Sequence, residues 1–174
     1  SAWTSRDPRG GPSMSGDPMP DRNLDLRDKL AWMVETQGYA VEPVKPINEP
    51  GVAHPGYTFT VGFEATWGHP EVVIWGLAPS AARGLLDLVA AQVAAGIELP
   101  VGAVFVGLLE NDLRSALLAV GVELGDERFP GAAVFYSERP FRMLQFVWPD
   151  RAGMLPWEEG YDERLRLAHP VIGH

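Results

Sequence analysis

Apolar residues recur at a helical spacing in three stretches of the chain. Residues 24–38 carry apolar side chains three and four positions apart, directly after Asn23, whose side chain suits a helix N-cap. The same spacing recurs over residues 80–96. A shorter stretch, residues 113–121, follows an Asn-Asp pair of the kind that caps helices. These three segments are therefore predicted to be helices.

Six other segments are rich in the β-branched and aromatic residues that favour strands. Residues 45–56 separate the first two of them and contain three prolines without any periodicity, which predicts a loop. The second and third segments are expected to form a hairpin with a six- to eight-residue loop. The predicted strands cover residues 39–44, 57–63, 71–77, 103–109, 132–137 and 142–148.

The order of these elements predicts the fold class. Helices and strands do not alternate strictly, so a parallel β/α fold is not indicated. We predict a single α+β domain over residues 24–174, with a mostly antiparallel sheet and two or three helices packed against one face. Residues 1–23 are rich in Gly, Pro and Ser and too poor in apolar residues to form a core. They are predicted to be a flexible N-terminal arm.

Composition and charge exclude several classes of protein. The chain is 46% hydrophobic with 14 basic and 23 acidic residues, a formal net charge of −9. Such an acidic protein is not expected to bind nucleic acid, because phosphates would be repelled. No apolar run of about 20 residues is present, so no membrane span is predicted. No secretory signal is visible and there is no cysteine, which predicts a soluble cytoplasmic protein without disulfides.

The turn before the third predicted strand carries the first candidate site. His69 stands in a Gly-His-Pro turn, and Glu71 opens an otherwise apolar strand. Residues two apart in extended backbone point to the same side, so the imidazole and the carboxylate are expected to face each other. Such a pair suits general acid–base catalysis. The alternative is that His69 only closes the turn by bonding to backbone while Glu71 is solvated.

The second candidate site follows the last predicted strand. Trp148 and Trp157 frame a turn that contains Asp150 and Arg151. Two indoles around such a turn can form an aromatic-walled pocket with a charged floor, in which Asp150 would act as a further carboxylate. Alternatively, the tryptophans pack on the sheet and Asp150 caps the turn.

Motifs for cofactors are missing from the chain. No phosphate-binding loop, dinucleotide fingerprint, nucleophile elbow or HExxH motif is present. The four histidines show no spacing typical of metal ligands. We expect no cofactor and assign no metal site.

Both candidate sites lie in segments that resemble one protein family. FTVGFEATWGHPEVVIWGL, residues 59–77, and QFVWPDRAGMLPWEEGY, residues 145–161, resemble the two signatures of the bacterial family known as domain of unknown function 4262. The resemblance spans residues 26–171 and implies a small bacterial protein, but no activity. It adds Tyr57, Thr58 and Gln145 to the candidate substrate-binding residues, beside Trp148, Arg151 and Trp157.

Three hypotheses of function follow. The first is a pocket for a small molecule or modified peptide, with hydrolytic or proton-transfer chemistry at His69 and with Glu71 or Asp150 as its partner; it requires His69 and Asp150 to share one cleft. The second is a non-catalytic binding, accessory or immunity-type module that uses the acidic surface. The third is a homodimer formed through apolar runs such as residues 103–109.

Overall fold

The computed structural model of the chain describes residues 22–137 and 139–174. The predicted arm, apart from its last two residues, lies outside this described part. The first helix begins at Arg22, so Asn23 lies inside the helix rather than at its N-cap. Among the described residues, no helix is long and apolar enough to span a bilayer.

Four helices and eight strands are present in the described part of the chain. The structure confirms two of the predicted helices, near residues 24–38 and 80–96. It also confirms four of the predicted strands, each shorter than predicted, near residues 39–44, 57–63, 71–77 and 142–148. In chain order the elements are α1 (Arg22–Gln37), β1 (Ala40–Val44), β2 (Ile47–Glu49), β3 (Val52–His54), β4 (Tyr57–Val61), α2 (Phe63–Trp67), β5 (Glu71–Trp75), α3 (Pro79–Ala94), β6 (Val104–Phe105), β7 (Ser115–Val120), α4 (Pro130–Tyr136) and β8 (Met143–Val147).

Six strands form one mixed sheet in the order β1-β4-β5-β8-β7-β6, and β2 and β3 form a separate hairpin. Neighbours in the large sheet are antiparallel except β5 and β8, whose register pairs Val73 with Gln145. The predicted α+β class, the mostly antiparallel sheet and the β4–β5 pairing are thus confirmed. Because β5 and β8 run in the same direction, the residues before each of them lie at one end of the sheet and the residues after them at the other.

Helices cover both faces of the sheet, so the prediction of one covered face is wrong. Phe59 and Val73 face the core shared with α1 and α4, whereas Ile74 and Phe146 face the core shared with α3. Alternate residues of a strand point to opposite faces. Since β5 is buried at every position, both of its faces need a cover.

Four segments differ from their predicted structure. Residues 113–121 contain β7 instead of a helix, because Leu117 and its neighbours pair with β8 and are buried in the sheet. Of the predicted strand 132–137, residues 132–136 lie in α4; Pro130 stands in the first turn of this helix, and tertiary packing overrides the β-propensity of the segment. Only Val104–Phe105 of the predicted strand 103–109 pairs in the sheet. The predicted loop 45–56 contains the β2–β3 hairpin.

Candidate functional site

His69 and Asp150 lie at opposite ends of the sheet. His69 comes just before β5 and Asp150 just after β8, and these two strands are parallel neighbours. Five residues of extended strand, about 16 Å, therefore separate the two positions along the strand direction. The prediction that they share one cleft is wrong, because the sequence does not reveal that β5 and β8 are parallel.

Glu71 is fully buried and acts as the anchor of the turn around α2. Its carboxylate accepts hydrogen bonds from the backbone amides of Gly62, Phe63 and Glu64, each at 3.1 Å. Two hydroxyl groups complete the set: Thr60 donates at 2.7 Å and Tyr136 donates from α4. All of these partners are donors, so the carboxylate holds β4, α2 and α4 together. The expectation that Glu71 is a solvated or His-paired carboxylate is wrong.

Burial sets the proton affinity of this cluster. Removal of the carboxyl from water raises the pKa of Glu71 to about 7, although its hydrogen bonds from Tyr136, Thr60 and the amides act in the opposite direction. The pKa of Tyr136 is raised as well, first by burial and then by the nearby carboxylate. Glu71 thus titrates near neutral pH while it is closed off from solvent.

His69 is bound to the turn in which it stands. Its Nδ1 lies 2.7 Å from the carbonyl oxygen of Pro70, and its ring packs edge-on against Phe63. Arg142 fixes the same turn, because its guanidinium donates to Gly68 O at 2.8 Å and pairs with Glu64. This geometry matches the turn-closing interpretation of His69 and gives it no hydrogen bond to Glu71.

Asp150 caps the turn after β8. Its Oδ1 accepts from the amides of Ala152 and Met154 at 2.9 and 2.8 Å, and its Oδ2 accepts from Asp162 N at 2.9 Å. The side chain is 6% exposed. These three bonds occupy both oxygens with backbone donors, which is the turn-cap arrangement. Arg151, the next residue, is exposed.

The two tryptophans of the second candidate site have different environments. Trp148 is buried and donates from Nε1 to Trp75 O at 2.9 Å. Its indole is stacked on the imidazole of His169, with ring centres 4.2 Å apart. Trp157, in contrast, is 48% exposed. The structure therefore makes Trp148 a core residue and leaves Trp157 available at the surface.

Gln145 holds the C-terminal segment, which we define as residues 168–174, against the sheet. The side chain is fully buried, donates to Pro170 O at 2.7 Å and accepts from the amides of Ile172 and Gly173 at 2.8 and 2.9 Å. Backbone bonds in both directions between His174 and Ala119 extend this contact. Gln145 is thus a positioning residue of the segment rather than a group that faces a pocket.

Two of the predicted residues, Tyr57 and Thr58, line a cavity of about 490 Å³. We call it the main cleft; its wall consists of residues 43–46, 55–58 and 76–79 with Ala168. These residues are the end of β1, the start of β4 and the end of β5, which the antiparallel pairing places at the same end of the sheet. The main cleft therefore lies at the end opposite His69.

Gly76 allows the C-terminal segment to close one side of the main cleft. Its φ of +90° is a conformation that side-chain-bearing residues rarely adopt. A Cβ at this position would lie 2.7 Å from Ala168 O and 3.1 Å from the Trp148 ring. The close approach of the two backbones thus requires glycine.

A second cavity of about 310 Å³ adjoins the main cleft. We call it the side cleft; the two share Val44, Lys45, Pro55 and Tyr57. None of the described residues that line either cleft is Asp or Glu. Arg128 also lines the side cleft, but Asp126 pairs with it at 2.9 Å. Among the described wall residues of the two clefts, Lys45 is therefore the lysine or arginine that is not paired with a described carboxylate.

Sequence reasoning missed Lys45 as a site residue because it stands in a segment predicted to be a loop. A signal was present: the lysine lies between Val44 and Pro46, in one of the proline-rich stretches that now form the wall. No sequence feature near Ala168 indicates that it lines a cavity. For metals, the described residues contain no group of three or more His, Asp or Glu side chains placed to hold an ion.

Comparison with known proteins gives the family of the chain. Searches of curated proteins and of solved structures returned no match. The model of one family, the domain of unknown function DUF4262, matches residues 33–162, which include both signature segments, nearly all of the main cleft and Glu71. The chain therefore belongs to the DUF4262 family.

Proposed function

We propose that the protein binds a small amphipathic anion in the main cleft. The observation that supports this function is the cleft itself, a cavity of about 490 Å³ whose wall is mostly proline and aliphatic side chain. Concave, mainly apolar cavities with a few polar groups are typical small-molecule sites. The apolar body of the ligand would lie on the strand ends that form the wall.

Charge favours an anion over a cation. The protein has a net charge of −9, yet the described wall residues of both clefts include no carboxylate. Lys45 lines both clefts, and no carboxylate oxygen of the described residues lies within 4.0 Å of its ammonium group. A lysine at the edge of an apolar cavity attracts a carboxylate, sulfonate or phosphate group. The ligand class is therefore an apolar body with one anionic group.

The proposal includes no acid–base step. His69 and Glu71, the residues expected to carry such chemistry, lie at the other end of the sheet, and Glu71 is fully buried. The side chains that line the main cleft contain no histidine or carboxylate. Binding without chemistry is the function that this wall supports.

Filling the main cleft with an indole tests the proposal. Ala78 lines the cleft, is exposed, and precedes α3 with extended backbone that tolerates a large side chain. Ala78→Trp is expected to weaken the binding of decanoate about tenfold, as followed by amide chemical shifts in NMR titrations. Ala95→Trp, at the exposed other end of the same helix, is the matched control and should bind like the wild type.

The role of Lys45 is tested in the same titrations. Lys45→Gln is expected to weaken decanoate binding several-fold while leaving the binding of neutral 1-decanol unchanged. The chain has one other lysine, Lys29, which is exposed on α1, and Lys29→Gln is the control. Decanoate shifts that do not map to the main cleft, or equal losses in both lysine variants, would contradict the proposal.

Self-association through β6 is a second candidate function, favoured by one observation. β6 is the edge strand of the large sheet, and Val101, Val104 and Val106 at this edge are 53%, 43% and 56% exposed. Exposed apolar edge strands pair readily with a second chain. We expect sedimentation velocity to detect a dimer that Val104→Lys abolishes. A wild-type protein that stays monomeric at high concentration would remove this candidate.

A further inference from the structure

A third cavity, distinct from both clefts, lies beside the exposed Trp157. Its volume is about 300 Å³, and it shares no wall residue with the main cleft and only Pro170 with the side cleft. We call it the Trp157 cavity. Its wall residues are Pro156, Trp157, Arg166, His169, Pro170 and Val171. The last four of them follow the part of the chain that matches the family model.

His169 is the buried polar group in this wall. The side chain is 1% exposed and stacked on Trp148, and its Nδ1 lies 3.2 Å from the hydroxyl of Tyr161. Its Nε2 has no hydrogen-bond partner among the described residues. A buried polar nitrogen without a partner is rare in folded proteins. One wall residue of the Trp157 cavity thus carries a buried nitrogen whose hydrogen-bonding capacity is unused.

The donor and acceptor roles in the Tyr161 contact depend on which nitrogen of the imidazole carries the hydrogen. Burial lowers the pKa of His169 to about 4, so the ring is uncharged at pH 7. In the tautomer in which the Tyr161 hydroxyl donates to Nδ1, the hydrogen of the imidazole lies on Nε2. The unused group of His169 is then an N–H donor, which requires an acceptor.

Arg166 adds a positive group with a fixed orientation. Its guanidinium donates to Pro156 O at 2.9 Å, pairs with Glu163 at 2.5 Å and lies over the Tyr161 ring. Within the described residues its Nη2 makes no hydrogen bond, so donors remain for a ligand. Glu163 is 74% exposed and offsets only part of the charge. Arg166 and His169 thus both favour an acceptor group.

We propose that the Trp157 cavity binds a small aromatic carboxylate, with its ring against the Trp157 indole and its carboxylate toward Arg166 and His169. A planar ring stacks well on an exposed indole, and a guanidinium binds a carboxylate in a matching plane. Nε2 of His169 is covered in this structure, so contact with it requires a small local shift of the cavity wall. The site differs from the main cleft in ligand shape: a flat ring rather than an elongated apolar body.

Titration with benzoate, followed by the side-chain NMR signals of Trp and Arg, tests the proposal. We expect benzoate to shift the signals of Trp157 and Arg166. Benzyl alcohol, which is neutral, should shift these signals far less. Trp157→Ala and Arg166→Gln should each weaken benzoate binding about tenfold. The matched controls are Trp32→Ala, which removes an indole 62% exposed on α1, and Arg164→Gln, which removes a neighbouring exposed arginine. Both should bind like the wild type.

His169→Phe keeps a ring on Trp148 but removes Nε2, and it is expected to weaken benzoate binding without changing the fold, as checked by near-ultraviolet circular dichroism. Ala78→Trp, which fills the main cleft, should leave benzoate binding unchanged. The proposals for the two sites are therefore tested independently of each other. Benzoate shifts that map elsewhere, or an Arg164→Gln variant as weak as Arg166→Gln, would overturn the proposal.

Discussion

Replacing Glu71 by leucine is expected to lower the free energy of unfolding by about 4 kcal/mol. The substitution leaves three backbone amides and two hydroxyls without their acceptor in a fully buried position. Each buried donor without a partner costs about 1–3 kcal/mol, and part of this cost is relieved by local rearrangement. Urea unfolding followed by circular dichroism measures the change.

Two variants show whether the buried network is the cause of this loss. Glu71→Gln keeps the volume of the side chain and one acceptor oxygen. It should therefore lower the free energy of unfolding less than Glu71→Leu does, because only the NH2 group of the new amide faces donors without accepting a hydrogen bond from them. Glu110→Gln removes an exposed carboxylate and should change stability by less than about 0.5 kcal/mol. A Glu71→Leu protein as stable as the wild type would contradict the anchoring role.

The same residue predicts a dependence of stability on pH. The pKa of Glu71 is about 7 in the folded protein and 4.5 as the ordinary reference value, so the folded state binds the proton more tightly. The stabilisation from this proton is fully present below pH 4.5 and is lost as the pH rises through 7. Relative to Glu71→Gln, the free energy of unfolding of the wild type should fall by about 3 kcal/mol across this pH range. Unfolding curves at a series of pH values measure the difference, and parallel profiles for the two proteins would contradict it.

Replacing Gln145 by leucine is expected to release the C-terminal segment. Three hydrogen bonds from one buried side chain hold Pro170, Ile172 and Gly173, and their loss should cost about 2–3 kcal/mol. The released segment also forms walls of the main cleft, the side cleft and the Trp157 cavity. Binding of decanoate and of benzoate should therefore weaken together in this variant, unlike in any single-site variant.

Hydrogen exchange shows whether the segment itself is affected. The amides of Ile172 and Gly173 should exchange much faster in Gln145→Leu, while those of β5 stay protected. Gln37→Leu, a change at an exposed position of α1, is the control and should leave both sets unchanged. Unchanged exchange at residues 172 and 173 would contradict the positioning role of Gln145.

The pattern of apolar residues along the chain correctly predicts two kinds of element: helices with a regular helical spacing and strands that are apolar throughout. α3 has the helical spacing, and β5 has a run of β-branched and aromatic residues; both are present. β7 and α4 were predicted the wrong way round, because SALLAV has the composition of a helix and AAVFY that of a strand. Their structure depends on pairing with β8 and on packing near Glu71, which are distant in sequence.

In the candidate sites, too, the features that depend on nearby residues could be predicted from the sequence, whereas those that depend on distant residues could not. The turn-cap role of Asp150 could be predicted, because it depends on backbone within twelve residues. The positions of His69 and Asp150 relative to each other could not, since they follow from the direction of β8 next to β5. The main cleft depends on three strand ends and on Ala168, which come together only in the folded chain.

The parallel contact between β5 and β8 also bears on how the chain folds. Val73 meets Gln145, so the centre of the sheet forms only after a large part of the chain has been synthesised and its loop closed. Until β8 arrives, β5 has an open apolar edge, which is where an early chain is expected to aggregate or to recruit a chaperone. Refolding is therefore expected to be slow for a protein of this size and limited by the arrival of β8.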